Sequence, residues 1–243
     1  MKAVDLSTLD YRTAWQEQER VHADVLSGGE ETILLVEHPP VITFGRRADD
    51  SAKHLIASAA LLESMGVAVV ESDRGGDITF HGPGQLVAYP IVRIADHKLS
   101  VGAYVKALEH AAIRSLAHFG IAARLDPGAI GVWVEISEKR RATSDEGTDA
   151  HSSLVAHGSS LGKICALGVR IKRGVSMHGI ALNVTTDLSY FNLIIPCGLS
   201  ERPVTSMQQM MGERTPAMVD VKKVVAESII SCVTSFARNN GAR

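Results

Sequence analysis

The sequence predicts an α/β fold of the α+β kind, in which a mixed and largely antiparallel sheet is flanked by helices. Three observations predict it. Strand-like and helix-like stretches are interspersed without a strict strand–helix–strand repeat, which disfavours a doubly wound parallel sheet. Two strand-like runs, Leu161 to Ile171 and Val175 to Val184, are separated only by Lys172-Arg173-Gly174, a natural hairpin turn. Hydrophobic residues make up 45% of the chain and aromatics only 5%, so the core must be built from Ala, Val, Ile and Leu. At 243 residues, with no internal repeat and no linker, residues 1–243 are expected to form one domain.

The elements follow in order. Asp10 precedes Tyr11, Ala14, Trp15, Val21, Val25 and Leu26, an apolar stripe at helical spacing that stops at Gly28-Gly29. Thr32 to Glu37 and Val41 to Phe44 are short β-branched runs broken by Pro39-Pro40, hence two strands around a turn. Ser58 to Met65 reads as a short helix ending at Gly66, and Val67 to Val70 as a buried strand. The glycine-rich stretch Arg74 to Gln85 leads into a strand over Leu86 to Val92. Ser100 caps a helix whose Val101, Tyr104, Val105, Leu108, Ala112, Leu116 and Phe119 share one face, closed by Gly120. Ile130 to Ile136 is a strand. Residues 137–158 are polar and aperiodic, a surface insertion whose Lys139-Arg140-Arg141 run is weighed as a binding patch and read as a solvated loop. Met218, Val221, Val225 and Ile229 mark a closing helix.

Charge and composition exclude several function classes. Twenty-five basic and 27 acidic side chains leave a net charge of −2, so no overall field attracts nucleic acid or an anionic membrane. No apolar run approaches the roughly 20 residues of a spanning helix. Seven acidic residues among the first 31 contradict a secretory signal or transit peptide, so the protein is expected in the cytoplasm. Cys165, Cys197 and Cys232 form no Cys-x-x-Cys pair, and no zinc spacing occurs among them and the ten histidines. A disulfide framework and a bound metal are therefore not expected.

The residues that could carry chemistry are few. Four glycines in the twelve residues Arg74 to Gln85 imply close approach of backbone to a ligand or to other backbone, with Arg74 and His81 adding a charge and a proton-exchanging ring. The spacing is neither a Walker loop nor a dinucleotide fingerprint, and two hairpin turns would also use glycine. Cys197 lies between Pro196 and Gly198, a turn that can present a thiol at an element's edge. Lys163 interrupts the apolar run Leu161 to Leu167, where an amine either exits to solvent or sits in a site. Cys165 is expected on the same strand face as Lys163 by the two-residue period and competes as the thiol, but it lacks the turn context of Cys197. His178, beside Gly179, is either ligand-facing or a hydrogen-bonded core histidine.

Taken together, these segments resemble the lipoyl(octanoyl) transferases of the biotin/lipoate ligase-like superfamily. The resemblance spans nearly the whole chain. It includes Glu37 to Gly45, Arg74 to Gln85 continuing into Tyr89-Pro90-Ile91, Gly131-Val132-Trp133-Val134, Gly162-Lys163-Ile164, Arg173-Gly174, His178-Gly179, Ala181 to Val184 and Pro196-Cys197-Gly198. It implies that Lys163 and Cys197 form a catalytic pair. It also implies acyl-binding segments at Arg74, Gly75, Gly76, Asp77, Ile78, Thr79, Phe80 and His81, at Cys165, Ala166 and Leu167, and at His178, Gly179 and Ile180. The implied reaction moves an octanoyl group from the phosphopantetheine of acyl carrier protein to a lysine of a lipoyl domain, in 2-oxoacid dehydrogenases or the glycine cleavage H protein. A monomer needing no other cofactor is expected. Two departures stand out: Phe80 replaces the family's usual tyrosine, and the insertion at 137–158 is longer than in compact members.

The implied chemistry suits the residues. A thioester is already activated, so transfer to a thiol is nearly neutral and onward transfer to an amine is downhill without ATP or metal. Lys163 would draw the Cys197 thiol from about 8.5 toward neutrality, backbone N–H groups would hold the oxyanion, and Lys163 would accept the proton of the incoming amine. Ile78 and Leu167 are expected to line the acyl slot. Three rivals remain: an ATP-dependent ligase on the same fold, which has no use for Cys197; a non-catalytic acyl-binding protein; and a cysteine hydrolase pairing Cys197 with His81 or His178.

Overall fold

The computed structural model describes residues 1–46, 54–137, 159–195 and 202–240. The insertion beyond Ser137, with its Lys139-Arg140-Arg141 run, and the segment holding Pro196, Cys197 and Gly198 lie outside the described residues. The strands are β1 (Lys2–Thr8), β2 (Thr32–Glu37), β3 (Val41–Phe44), β4 (Ala68–Glu71), β5 (Thr79–His81), β6 (Gln85–Ile91), β7 (Ala123–Asp126), β8 (Ala129–Ser137), β9 (Ser159–Lys172) and β10 (Val175–Asn183). The helices are α1 (Tyr11–Leu26), α2 (Ala59–Ser64), α3 (Val101–His118), α4 (Met207–Met211) and α5 (Met218–Asn240). None of the described helices is long and apolar enough to cross a membrane.

The expected caps form. The side chains of Asp10, Ser58 and Ser100 accept the N–H groups of Thr13, Leu61 and Ala103, each satisfying a donor that the first helical turn leaves free. The β9–β10 hairpin turns at Arg173 and Gly174, both at positive φ (54° and 85°), the pair of left-handed residues a two-residue turn requires. The sequence reading missed β1, whose alternation is weak and whose side chains are mostly exposed. With α1 as crossover, β1 pairs parallel to β2, a single strand–helix–strand unit.

Seven strands form one sheet in the order β1-β2-β6-β10-β9-β8-β7, antiparallel everywhere except β1 against β2. A smaller sheet, β4-β3-β5, stands beside it. The fold class is therefore as expected. Helices α3 and α5 cover one face of the large sheet, where Leu108, Leu116, Val221, Val225 and Ile229 meet Ile33, Leu86, Val132, Ile164 and Ile180. Helix α1 covers part of the other face through Ala14, Val21 and Val25. Beyond Cys165 the edge of β9 is no longer paired with β8, and there the glycine-rich segment that precedes β5 meets β9.

Candidate active site

At this junction is a cleft of about 570 Å³, in the range of small-molecule sites. It is lined by Arg74, Gly75, Gly76, Asp77, Ile78, Thr79 and His81 from the glycine-rich segment, Lys163 and Ala166 to Val169 from β9, and His178 to Ala181 from β10. Tyr11, Val87, Tyr89, Val105 and Gly128 to Ile130 complete it. The glycines serve backbone contact: the Gly75 N–H donates to Val169 O at 3.1 Å. A Cβ at Gly168 would lie 2.6 Å from Gly75 O, and one at Gly179 would lie 2.1 Å from Ala88 O. Within the segment Gly75 thus serves a strand-to-loop crossing, while Gly82 and Gly84 belong to a turn, the Gln85 N–H donating to Gly82 O at 3.1 Å and Gly84 standing at φ 77°.

Arg74 fixes the segment to β3. Its guanidinium donates to Thr43 Oγ1 at 2.9 and 3.0 Å, to Thr43 O at 2.6 Å and to Gly75 O at 3.2 Å, and the residue is buried. A guanidinium with several planar donors can hold two backbone carbonyls and a hydroxyl together, which a lysine cannot.

Four buried rings meet at one side of the cleft, Tyr11, His81 and Tyr89 lining it. Tyr11 stacks on His81 with centroids 5.9 Å apart, and His38 meets Tyr11 at 5.3 Å and Tyr89 at 6.0 Å. His38 Nδ1 donates to Leu9 O at 2.7 Å, so its bare Nε2 accepts the Tyr89 hydroxyl at 2.8 Å. Burial pushes His38 down to about 4 and, chiefly for the same reason, holds His81 well below the usual histidine range. His178, which also lines the cleft, stands at φ 56°, with Nε2 2.6 Å from Asp73 Oδ1. Burial first, then the charges of Arg74 and Arg170, push it down to about 3, so this contact is a hydrogen bond from a neutral ring, while Asp73 takes its ionic partner from Arg170.

Lys163 reaches the cleft because β9 carries a bulge. Val132 of β8 pairs with Cys165 and Trp133 pairs with Lys163, so one step on β8 matches two on β9. Ile164 and Cys165 both enter the helix-side core, and Lys163 turns to the opposite face, its Nζ 4.7 Å from the Trp133 ring centroid. The expectation that Cys165 and Lys163 share a face is therefore overturned: alternation holds only in an unbulged strand. Gly131, at φ 137°, leaves room for the lysine stem, since a Cβ there would lie 3.1 Å from Lys163 Cε. The Arg202 guanidinium lies 5.1 Å from the same indole and pairs with Asp126.

The two flanks of the Cys197 segment are tied down. Before it, the Ile195 N–H donates to His54 O at 2.7 Å; after it, the Lys163 N–H donates to Pro203 O at 2.9 Å and the Thr205 N–H to Lys163 O at 3.0 Å. Of the other thiols, Cys165 is fully buried and pushed up to about 12 by that burial, and burial also raises Cys232. Neither is a ready nucleophile. Among the described residues, no group of three or more His, Cys, Asp or Glu side chains is arranged to hold a metal ion.

Of the residues singled out from sequence, the cleft gathers Lys163 and all the acyl-segment positions except Phe80 and Cys165. Phe80 is buried away from it, stacked on Tyr190 at 4.8 Å and edge-on to Phe191 at 5.6 Å. Tyr11 and Trp133 were missed as site residues, because an aromatic in an apolar stripe or run is ordinarily core; only a buried cation stacked on the indole marks Trp133 as different.

The lipoyl protein ligase A/B catalytic domain family matches residues 10–230. An octanoyltransferase of Chloroflexus aggregans is 42% identical over 223 residues, 91% of this chain and 90% of that protein. Among solved structures, lipoate-protein ligase A bound with ATP superposes with a TM-score of 0.68 at 15% identity, over 98% of this chain and 92% of that one. Biotin protein ligase from Aquifex aeolicus gives 0.53 at 12% identity, over 98% and 72%. By its matched length, its relatives and its fold, the chain belongs to the lipoyl protein ligase A/B catalytic domain family.

Proposed function

We propose that the protein transfers an octanoyl group from octanoyl-acyl carrier protein to a lysine of lipoyl domains through a thioester on Cys197. The observation that carries the mechanism is Lys163: a buried amine aimed into a largely apolar cleft, on the strand residue whose N–H and C=O both bind the segment that follows Cys197. The octanoyltransferase name of relatives about 42% identical supports the acyl group.

In this reading Ile78, Leu167, Ala166 and Ile180 hold the acyl chain against the backbone surface of Gly75, Gly168 and Gly179. Lys163 takes the thiol proton of Cys197, the thiolate attacks the thioester carbonyl, and Lys163 returns the proton to the departing pantetheine thiol. Backbone N–H groups of the glycine-rich segment hold the oxyanion. Lysine attack on the acyl-enzyme then forms the amide and regenerates Cys197. Neither ATP nor a metal enters any step.

The test is intact mass of the wild type and Cys197→Ala after incubation with octanoyl-acyl carrier protein without ATP. A hydroxylamine-sensitive gain of one octanoyl group in the wild type alone is expected. An adduct on neither protein, with activity restored by ATP and free acid, would make the chain a ligase instead.

A further inference from the structure

Proton balance poses a question that a lysine–cysteine pair leaves open. The acceptor lysine arrives as an ammonium with three N–H bonds and leaves as an amide with one, so two protons must go. After acylation Lys163 is a free amine, having returned its proton to the pantetheine thiol. It can take one proton from the tetrahedral intermediate as the C–S bond breaks. The other must be removed before the amine can attack at all.

His81 is built to receive it. A fixed chain of side-chain amides sets its tautomer. Asn183 Nδ2 donates to Thr205 O at 3.0 Å, which turns Asn183 Oδ1 toward Gln85 Nε2 at 2.9 Å. Gln85 Nε2 also donates to Phe80 O at 3.2 Å, so Gln85 Oε1 is left facing His81 Nδ1 at 2.6 Å. Backbone carbonyls accept only, so the amides cannot flip without losing bonds, and the proton of neutral His81 stands on Nδ1. Its Nε2 carries a lone pair. That atom has no hydrogen-bond partner among the described residues, in a residue that lines the cleft. With no hydrogen on Nε2, His81 cannot donate to an oxyanion there; it can only accept.

We infer that His81 Nε2 is a second catalytic base, taking the first proton from the incoming lysine ammonium, holding it while the nitrogen attacks and then passing it to solvent, while Lys163 takes the second. The inference rests on the proposed transfer through Cys197. The bonds balance: N–H to His81, attack of the freed nitrogen on the thioester carbon, N–H to Lys163, and expulsion of the Cys197 thiolate. One proton leaves through His81 and one stays with the Lys163–Cys197 pair, which is thereby ready for the next donor.

The groups facing His81 leave the neutral and alkaline range clear. Tyr11 stacks on it from α1, His38 meets it edge-on at 5.8 Å from the turn after β2, and Arg74 and His178 act on it from the glycine-rich segment and β10. The two histidines are pushed to about 4 and about 3, and burial raises the tyrosine hydroxyl.

The test separates the half-reactions. His81→Asn keeps a donor for Gln85 and removes the cleft-facing nitrogen; His81→Gln offers an acceptor there that cannot be protonated. For both variants, acyl transfer to a lipoyl domain at pH 7 should fall about 10²-fold further than acylation by octanoyl-acyl carrier protein does. The loss should shrink about tenfold per pH unit toward pH 9, as free amine accumulates in solution. Transfer to hydroxylamine, already uncharged at neutral pH, should fall no further than acylation does. Equal losses in both half-reactions, an equal loss with hydroxylamine, or a His81→Gln variant as fast as wild type would overturn the inference. Should the variants fail to fold, the wild type decides: a transfer rate flat from pH 6.5 to 9 supports a base, and a tenfold rise per unit overturns it. Absence of any acyl adduct on the wild type would instead refute the underlying reading.

Discussion

Lys163 and Trp133 are paired residues of neighbouring strands, yet their side chains meet as cation over ring, the Lys163 ammonium 4.7 Å from the indole centroid. The bulge at Ile164 creates this relationship by turning Lys163 off the core face. A buried cation over an aromatic face gains about 1 kcal/mol, or about fivefold in a population. Trp133→Leu should therefore lower kcat for octanoyl transfer by about fivefold or more, with donor KM little changed. Trp133→Phe should keep most of the rate. Equal rates for the two variants in steady-state assays would show that the ring only fills space.

Cys165 should be silent toward alkylation. Burial pushes its thiol up to about 12, so almost none is thiolate at pH 7.5. Iodoacetamide on the native protein, read by peptide mass spectrometry, should leave Cys165 unmodified until denaturant is added. Cys165→Ala should retain acylation while losing about 0.5–3 kcal/mol of stability, as a core substitution does.

Acid should destabilise the protein early. His38 and His81 are neutral when folded, His38 down to about 4, and each gains a proton near 6.5 when unfolded. The unfolded state therefore binds more protons below pH 6.5, so the stability these rings contribute is present above that value and lost as pH falls toward 4. Each histidine contributes a slope of at most about 1.4 kcal/mol per pH unit. Urea midpoints should be level between pH 7 and 8 and fall steeply from 6 to 4.5. His38→Gln should flatten that slope; an unchanged slope would place the acid sensitivity elsewhere.

Phe80→Tyr should affect folding more than catalysis. The Phe80 ring is buried against Tyr190 and Phe191, and its Cζ would lie 2.5 Å from a Cβ at Gly82, so its para edge faces backbone. A hydroxyl placed there without a partner costs about 1–3 kcal/mol. Thermal melting should show the loss while donor KM stays within about twofold. A lowered KM would instead give position 80 a contact with substrate.

The sequence carried those features that follow from local rules. Caps at Asp10, Ser58 and Ser100, the Arg173-Gly174 turn and the apolar stripes of α1 and α3 all follow from neighbours within a few residues. The glycine-rich segment was legible as a place where backbone comes close to backbone, as Gly75 does to Val169. What escaped depends on pairing between distant strands. The Ile164 bulge exists only relative to β8, so alternation along β9 misplaced Cys165 beside Lys163. The tautomer of His81 depends on Gln85, Asn183 and Thr205, joined only when β6 meets β10. Phe80 reads as one position of a loop motif, and only the packing of Tyr190 and Phe191 shows that it belongs to a core.

The backbone contacts beneath the cleft also limit how this sequence can diverge. Gly75, Gly168 and Gly179 bring main chain against main chain, and a Cβ at any of them would fall within 2.8 Å of a carbonyl oxygen. Mutation replaces side chains and leaves the main chain where it is. Descendants of this sequence can therefore alter the cleft at Ile78, Leu167 and Ile130, but its base keeps its shape.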